Sequence, residues 1–385
     1  MSHDTQGSID TLLVHAGEPR PRINGAVSMP VFQSSTFEFG GDVGYHDIRY
    51  IRLNNTPNHD VLHAKLAALE RTEAALVASS GMAAISAALL TVLSPGDHLL
   101  AHRALYGGTH DFITGELRRF GIEVGFVDTA NPSTWEAARR PNTKAFYCET
   151  ITNPLVEVGD LPAVAAFAKR YGLVSMIDNT FASPLNFRPA EHGFDLVLHS
   201  GTKYLNGHSD IVCGVLAGSR AWIDVTRKAL NHYGGSLDPH ACYLLHRGLK
   251  TLAVRMRHQN QSALTVAQWL EQHPKVARVN HPFLPSHPHH ARAKQLLTGC
   301  GGMLSVELRD GLPAARSFVE RVRMAVHAPS LGGPETLVIL PALSSHAGID
   351  PDERRRAGIA DGLVRISVGL EDSNDVIADF KQALG

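Results

Sequence analysis

From residue 59 onward the chain switches repeatedly between two hydrophobic rhythms. His59 to Arg71 carries Val61, Leu62, Leu66 and Leu69 at helical spacing and predicts a helix with one apolar face. Short apolar runs bounded by turn residues predict buried strands at Ala74 to Ala78, His98 to His102, Glu123 to Asp128, Thr143 to Thr150 and Leu173 to Ile177. Helical patterns separate them: Ala84 to Leu93, a segment reaching Phe120, Pro132 to Arg139 and Leu161 to Tyr171. Strands alternating with helices imply a parallel, doubly wound sheet. The stretch Asp195 to Val215 follows, with two apolar runs, DLVLH and IVCGV, around a polar knot, and predicts a hairpin that closes the sheet.

The flanks read differently. Residues 1–48, with Pro19, Pro21, Pro30 and several glycines, predict an extended arm with no core of its own. After the Asp238-Pro239 turn, residues 241 to 270 read as a long helical stretch containing Arg247, Arg255 and Arg257. The proline- and histidine-rich run His281 to His290 reads as a surface loop rather than a metal site. Gly301 to Leu308 and Leu363 to Val368 read as strands. The expected organisation is an arm over 1–48, a large α/β domain over 49–240 and a smaller C-terminal α+β domain over 241–385.

Composition narrows the class. The 385 residues are enough for two sizeable cores, and 44% hydrophobic with 19% charged residues is ordinary for a globular enzyme. A net charge of -1 gives no bulk field that would favour nucleic acid or an anionic membrane. Cys148, Cys213, Cys242 and Cys300 are widely spaced, so neither a disulfide framework nor a zinc knuckle is indicated. The N-terminal residues lack a basic-then-apolar signal, and no apolar run reaches the roughly 18 residues of a membrane span, so the chain reads as cytoplasmic.

The polar knot carries the chemistry. Lys203 follows a predicted buried strand, and a desolvated lysine loses part of its affinity for a proton and can form a Schiff base. Ser200 and Thr202 place hydroxyls three and one residues before it, suited to a phosphate. An aldehyde partner plus a phosphate anchor is what pyridoxal 5'-phosphate (PLP) requires. Ser79-Ser80-Gly81-Met82, between a strand and a helix, is a second anion site, because free amides at a helix start point at a phosphate. Asp178 closes a predicted strand where α/β sheets bind ligands, and Arg365 places a charge inside a strand, which is costly unless a carboxylate pairs it.

Ser200-Gly201-Thr202-Lys203-Tyr204 with Gly207-His208-Ser209-Asp210 resembles the lysine segment of the Cys/Met-metabolism family of PLP enzymes. The resemblance runs over about residues 25 to 370 and implies a fold of the aspartate aminotransferase type, with a mainly parallel sheet in its large domain. It implies that Lys203 carries PLP, Asp178 faces the pyridine nitrogen, Tyr106 stacks on the ring and takes part in catalysis, and Asn153 bonds the 3'-oxygen. Gly81, Met82, Ser200 and Thr202 would hold the phosphate, joined by Tyr50 and Arg52 from an adjacent subunit. Arg365, with Ser330 beside it, would bind the carboxylate of a small amino-acid substrate. The implied assembly is a homotetramer, a dimer of dimers with shared active sites.

Leu105-Tyr106-Gly107-Gly108-Thr109 is similar to the gamma-synthase and gamma-lyase branch. The expected activity is therefore a PLP-dependent lyase or transferase of the cystathionine gamma-lyase or gamma-synthase type, with beta-lyase activity as an alternative. Arg49 and Pro329 depart from residues common in gamma-acting relatives, so a different homoserine analogue such as canavanine stays open as substrate. A non-catalytic PLP-binding scaffold and a zinc hydrolase are the other classes weighed. Retention of Lys203, Asp178, Arg365, Tyr50 and Arg52 argues against the first. The lack of histidine and carboxylate residues at ligand spacing argues against the second.

Overall fold

The apolar runs become the centre of a seven-stranded sheet. Its strands are β1 (Ala74–Ala78), β2 (His98–His102), β3 (Glu123–Val127), β4 (Thr143–Glu149), β5 (Val174–Asp178), β6 (Leu196–Ser200) and β7 (Gly214–Gly218). The spatial order is β1-β7-β6-β5-β4-β2-β3. The pairs from β6 through β3 are parallel, whereas β7 runs antiparallel to both β6 and β1. The sheet is thus mainly parallel, but β1 does not neighbour β2. The second hairpin strand also starts later than the pattern predicts, at Gly214 rather than Ile211. The computed structural model describes residues 7–39, 41, 44–45, 48–348 and 350–385.

Both faces of the sheet are covered except at the edge strand β3, which is largely exposed rather than buried as expected, and this explains why the other strands read as continuous apolar runs. Phe146, Ile177 and Val197 point to one core, and their neighbours Tyr147, Met176 and Leu198 point to the other. The arm is not wholly extended as expected. It holds helix α1 (Ile9–His15), whose Leu12 and Leu13 are buried in the first of these cores together with Leu62 and Leu66 of α2 (Pro57–Glu70). IDTLLVH is too short for its period to stand out, and packing onto a neighbour supplies what propensity does not.

Glu18, just after α1, fixes the arm. Its buried carboxylate gathers Arg22 at 2.7 Å, His246 Nε2 at 2.8 Å, Lys250 at 3.2 Å and Lys65 at 3.7 Å. Burial alone would raise the Glu18 pKa, but His246, Lys65 and Lys250 hold it down at about 2.

A second sheet contains β8 (Val276–Asn280), β9 (Met303–Leu308), β10 (Val326–His327), β11 (Leu337–Ile339) and β12 (Leu363–Ser367), in the order β10-β11-β12-β9-β8. All its pairs are antiparallel except β10 with β11. The helices Leu252–Glu271, Gly311–Arg321 and Ser373–Leu384 share its core. The helical stretch expected over 241 to 270 consists of two helices, Pro239–Leu249 and Leu252–Glu271, opened by the Asp238 cap and separated at Lys250-Thr251. The loop after β8 is less superficial than its prolines imply, because His281 and His287 are both buried. Among the described residues no helix is long and apolar enough to cross a membrane.

Candidate active site

The lysine turn is tightly determined. β6 ends at Ser200, and Gly201 passes so close to Cys213 that an added Cβ would meet its Sγ at 2.6 Å. After the lysine, the Tyr204 carbonyl accepts Arg255 Nη1 at 2.8 Å, while the Tyr204 hydroxyl accepts the Gly302 amide at 2.7 Å. Lys203 is thereby aimed at the end of the sheet, where its Nζ donates to Ser330 Oγ at 2.7 Å. Burial, helped by the Arg365 guanidinium, lowers its pKa to about 8.

Ten of the singled-out residues line one cavity of about 630 Å3: Gly81, Met82, Tyr106, Asn153, Asp178, Ser200, Thr202, Lys203, Ser330 and Arg365. Tyr50 and Arg52 are not among its lining residues. Arg52 instead donates to the Asn231 carbonyl at 3.1 Å and to the Tyr45 hydroxyl at 2.5 Å.

At the cavity's anionic end, α3 (Gly81–Val92) starts against the lysine turn. Ser80 caps it by accepting the Ala83 amide at 3.0 Å, which leaves the earlier amides of the helix without intrahelical partners. A Cβ on Gly81 would lie 3.0 Å from Ser200 Cβ, so helix start and turn form a single cradle. The Thr202 hydroxyl is engaged differently from the simple phosphate ligand expected. It donates to the Cys213 carbonyl at 3.2 Å and accepts the Cys213 amide at 3.0 Å, tying the turn to the approach of β7.

Two carboxylates stand side by side on the floor. Glu149 and Asp178 are register partners at the ends of β4 and β5. Burial raises the pKa of Asp178, while bonds from Thr180, including its amide at 2.9 Å, oppose the rise. Glu149 is pushed well above the usual carboxylate range, by burial first and by Asp178 second. At the opposite wall Arg365 is buried. Its Nη2 donates to the Ser330 carbonyl at 2.8 Å, its Nη1 to Asn153 Oδ1 at 3.3 Å, and its Nε has no hydrogen-bond partner among the described residues. Burial lowers its pKa to about 10, and among the described residues no carboxylate lies within ion-pair distance of it.

This donor set fits the phosphorylated pyridine aldehyde expected from the sequence. A cradle of helix amides suits the phosphate, a carboxylate suits the ring nitrogen, and a lysine with a depressed pKa suits the aldehyde. Three residues of the site escaped the reading of the sequence. Glu149 was signalled only as a charge ending an apolar run. Asp111, exposed at the end of the short helix Gly107–Asp111 that follows Tyr106, also lines the cavity. Arg255, read as one of several helix arginines, is buried beneath the lysine turn.

The family described as Cys/Met metabolism PLP-dependent enzyme matches residues 10–385. The chain is 41% identical to the L-methionine gamma-lyase of Treponema denticola, over 96% of this chain and 95% of that protein. It is 42% identical to the cystathionine gamma-lyase of Bacillus subtilis, over 97% and 98%. The crystal structure of cystathionine gamma-lyase from Lactobacillus plantarum complexed with L-serine superposes with a TM-score of 0.93 at 38% identity, covering 98% of each chain.

Proposed function

Because the chain belongs to the Cys/Met metabolism family of PLP-dependent enzymes, we propose that it is a gamma-lyase. Its substrate would be a small L-amino acid carrying a heteroatom leaving group on Cγ. When bound, pyridoxal phosphate supplies the electron sink that stabilises negative charge at Cα. Arg365 binds the α-carboxylate through its fork, and this role is carried by a single observation: a buried guanidinium with no acidic partner of its own. Lys203 Nζ removes the Cα proton and then the Cβ proton that gamma elimination requires. An amine whose pKa lies near 8 is close to the working range for both transfers. Asp178 holds the ring nitrogen, and Asn153 and Tyr106 hold the ring itself. Gly81, Met82 and Ser200 hold the phosphate. Gamma-acting relatives and the Tyr106-Gly107-Gly108 turn support gamma over beta elimination.

The distal end of the substrate meets the outer wall, where Asp111, Ser344, Ser345 and Pro329 line the cavity. Asp111 favours a second, narrower reading. A carboxylate at the mouth attracts a cationic distal group, such as the guanidinium of canavanine, more strongly than the zwitterionic, net neutral distal end of cystathionine. Arg49 does not counter it within the chain, being drawn to Asp60 at 3.2 Å. The test is a panel of cystathionine, homocysteine, methionine, O-acylhomoserines and canavanine, with products identified by mass. Release of a four-carbon keto acid from at least one of them is expected. Release of only three-carbon keto acid would make the protein a beta-lyase, and no turnover of any would favour a scaffold.

The same reading includes a dimer of dimers in which Tyr50 and Arg52 complete the neighbour's phosphate site. Their absence from the lining of their own cavity supports it.

A further inference from the structure

Tyr106 is 44% exposed, and its side chain makes no capping bond to the helix it precedes. Two contacts fix the turn that carries it. The ring lies over Gly108, where an added Cβ would meet Cε1 at 2.7 Å. The Tyr106 amide donates to Glu149 Oε1 at 2.6 Å, and the Asn153 amide is turned to the same carboxyl. Glu149 therefore joins the backbones of the two residues that flank the expected ring, from the end of β4.

Its neighbour sets its charge. Glu149 and Asp178 sit at paired positions of adjacent parallel strands, about 4.8 Å apart in backbone spacing, with both side chains at the cavity floor. Two buried carboxylates at such a distance do not both ionise readily. Asp178 has the Thr180 donors and the field of His199 from β6 in its favour. Glu149 has the Tyr106 and Asn153 amides in its favour but no cation beside it, and the titratable side chain on its own face of the strand is the phenol of Tyr147. Lys203 and Arg365, the cations lining the cavity, are engaged with Ser330.

We propose that Glu149 is a positioning residue: as the neutral acid it holds the Tyr106 and Asn153 backbones in place and leaves the negative charge of the pair on Asp178. The proposal rests on PLP binding in this cavity but not on the identity of the substrate. It separates two properties of one side chain, the acceptor oxygen and the proton.

The experiment uses the holoenzyme without substrate. The PLP dissociation constant, the visible circular dichroism of the bound chromophore and the pH titration of its absorbance are measured for wild type, Glu149→Gln and Glu149→Ala. Gln keeps an acceptor oxygen and is permanently neutral, so all three readouts are expected within about twofold, or about 0.3 pH unit, of wild type. Ala removes the acceptor, so PLP affinity is expected to fall at least about tenfold and the dichroism to weaken as the ring support loosens. If Gln shifts the chromophore titration by a full unit or behaves like Ala, Glu149 acts as an anion and the proposal is overturned. Wild-type affinity and dichroism in Ala overturn the anchoring role. If Ala does not fold, the Gln variant alone still decides the protonation claim, and Glu149→Asp decides anchoring. Asp shortens the reach, so weakened dichroism supports the tie and unchanged dichroism overturns it. Loss of gamma-lyase activity with unaltered chromophore readouts would indict the substrate reading, not this one.

Discussion

The Nζ of Lys203 donates to the Oγ of Ser330 at 2.7 Å, and Ser330 occupies that place with a backbone φ of +89°. A serine in this region is uncommon and costs energy that neighbouring structure must offset. The same residue gives its carbonyl to Arg365. One strained residue thus spaces the amine from the guanidinium, and it would set where an amino acid held by Arg365 lies relative to Lys203.

The first prediction concerns which amine carries the cofactor. Two of the nine lysines, Lys65 and Lys203, have pKa values lowered to about 8, yet only Lys203 lines the cavity. Borohydride reduction of the yellow holoenzyme should fix the adduct on Lys203, and Lys203→Ala should show no reducible visible band. Peptide mapping that finds the adduct on Lys65 would overturn the assignment.

Arg365→Ala should raise KM while leaving the visible spectrum intact. Losing a bidentate contact to a buried carboxylate costs about 2–4 kcal/mol, or about 30- to 1000-fold in kcat/KM. An unchanged kcat/KM would mean that the arginine serves only Ser330 and Asn153.

Acid should weaken the fold in two stages. His59, buried with Nε2 on the Leu237 carbonyl, has its pKa lowered from 6.5 to about 4. The unfolded chain therefore binds more protons between those values, and stability falls as pH drops through that window. Glu18 is lowered from 4.5 to about 2, so its contribution is complete above 4.5 and is lost as pH falls toward 2. Melting temperatures recorded from pH 7 to 3 should decline across both ranges. Glu18→Gln should be less stable at pH 7 and show a flatter decline below 4.5. An equal slope in wild type and variant would place the acid sensitivity elsewhere.

Much of this was legible in the sequence, for physical reasons. Strands buried on both faces must be apolar throughout, so β1, β2 and β4 to β6 stood out, and the lysine, the aspartate and the buried arginine were conspicuous as charges in apolar surroundings. What hydrophobicity does not encode is pairing order. Nothing in Gly214–Gly218 says that it inserts between β1 and β6. Glu149 and Asp111 gain their meaning only from the segment after Tyr106, which brings both to one cavity. Residues 9–15 hid a helix because seven residues depend on packing rather than on propensity.

Shared sites can be tested by complementation. Arg52→Ala and Lys203→Ala should each be nearly inactive alone. If Arg52 serves a neighbour, a mixed dimer holds one site with both native residues, and random pairing of equal amounts recovers up to about a quarter of wild-type activity. No recovery after verified subunit exchange would mean that each chain builds its own site.

The place of β7 also governs how the chain assembles. β1 ends at Ala78, but its only partner strand among the described residues begins at Gly214, and the register pairs Ala78 with that very residue. During synthesis the segment carrying the Ser80-Gly81 cradle emerges long before the strand that ties it to the sheet. Until residue 218 has left the ribosome, β6 presents an open edge and the cradle has no fixed distance to Lys203. Non-local closure of this kind is slow and exposes strand edges to other chains. Nascent chains truncated just before Gly214 should accordingly be protease-sensitive throughout β1 and prone to aggregate, whereas those extended past Gly218 should gain protection there in a single step.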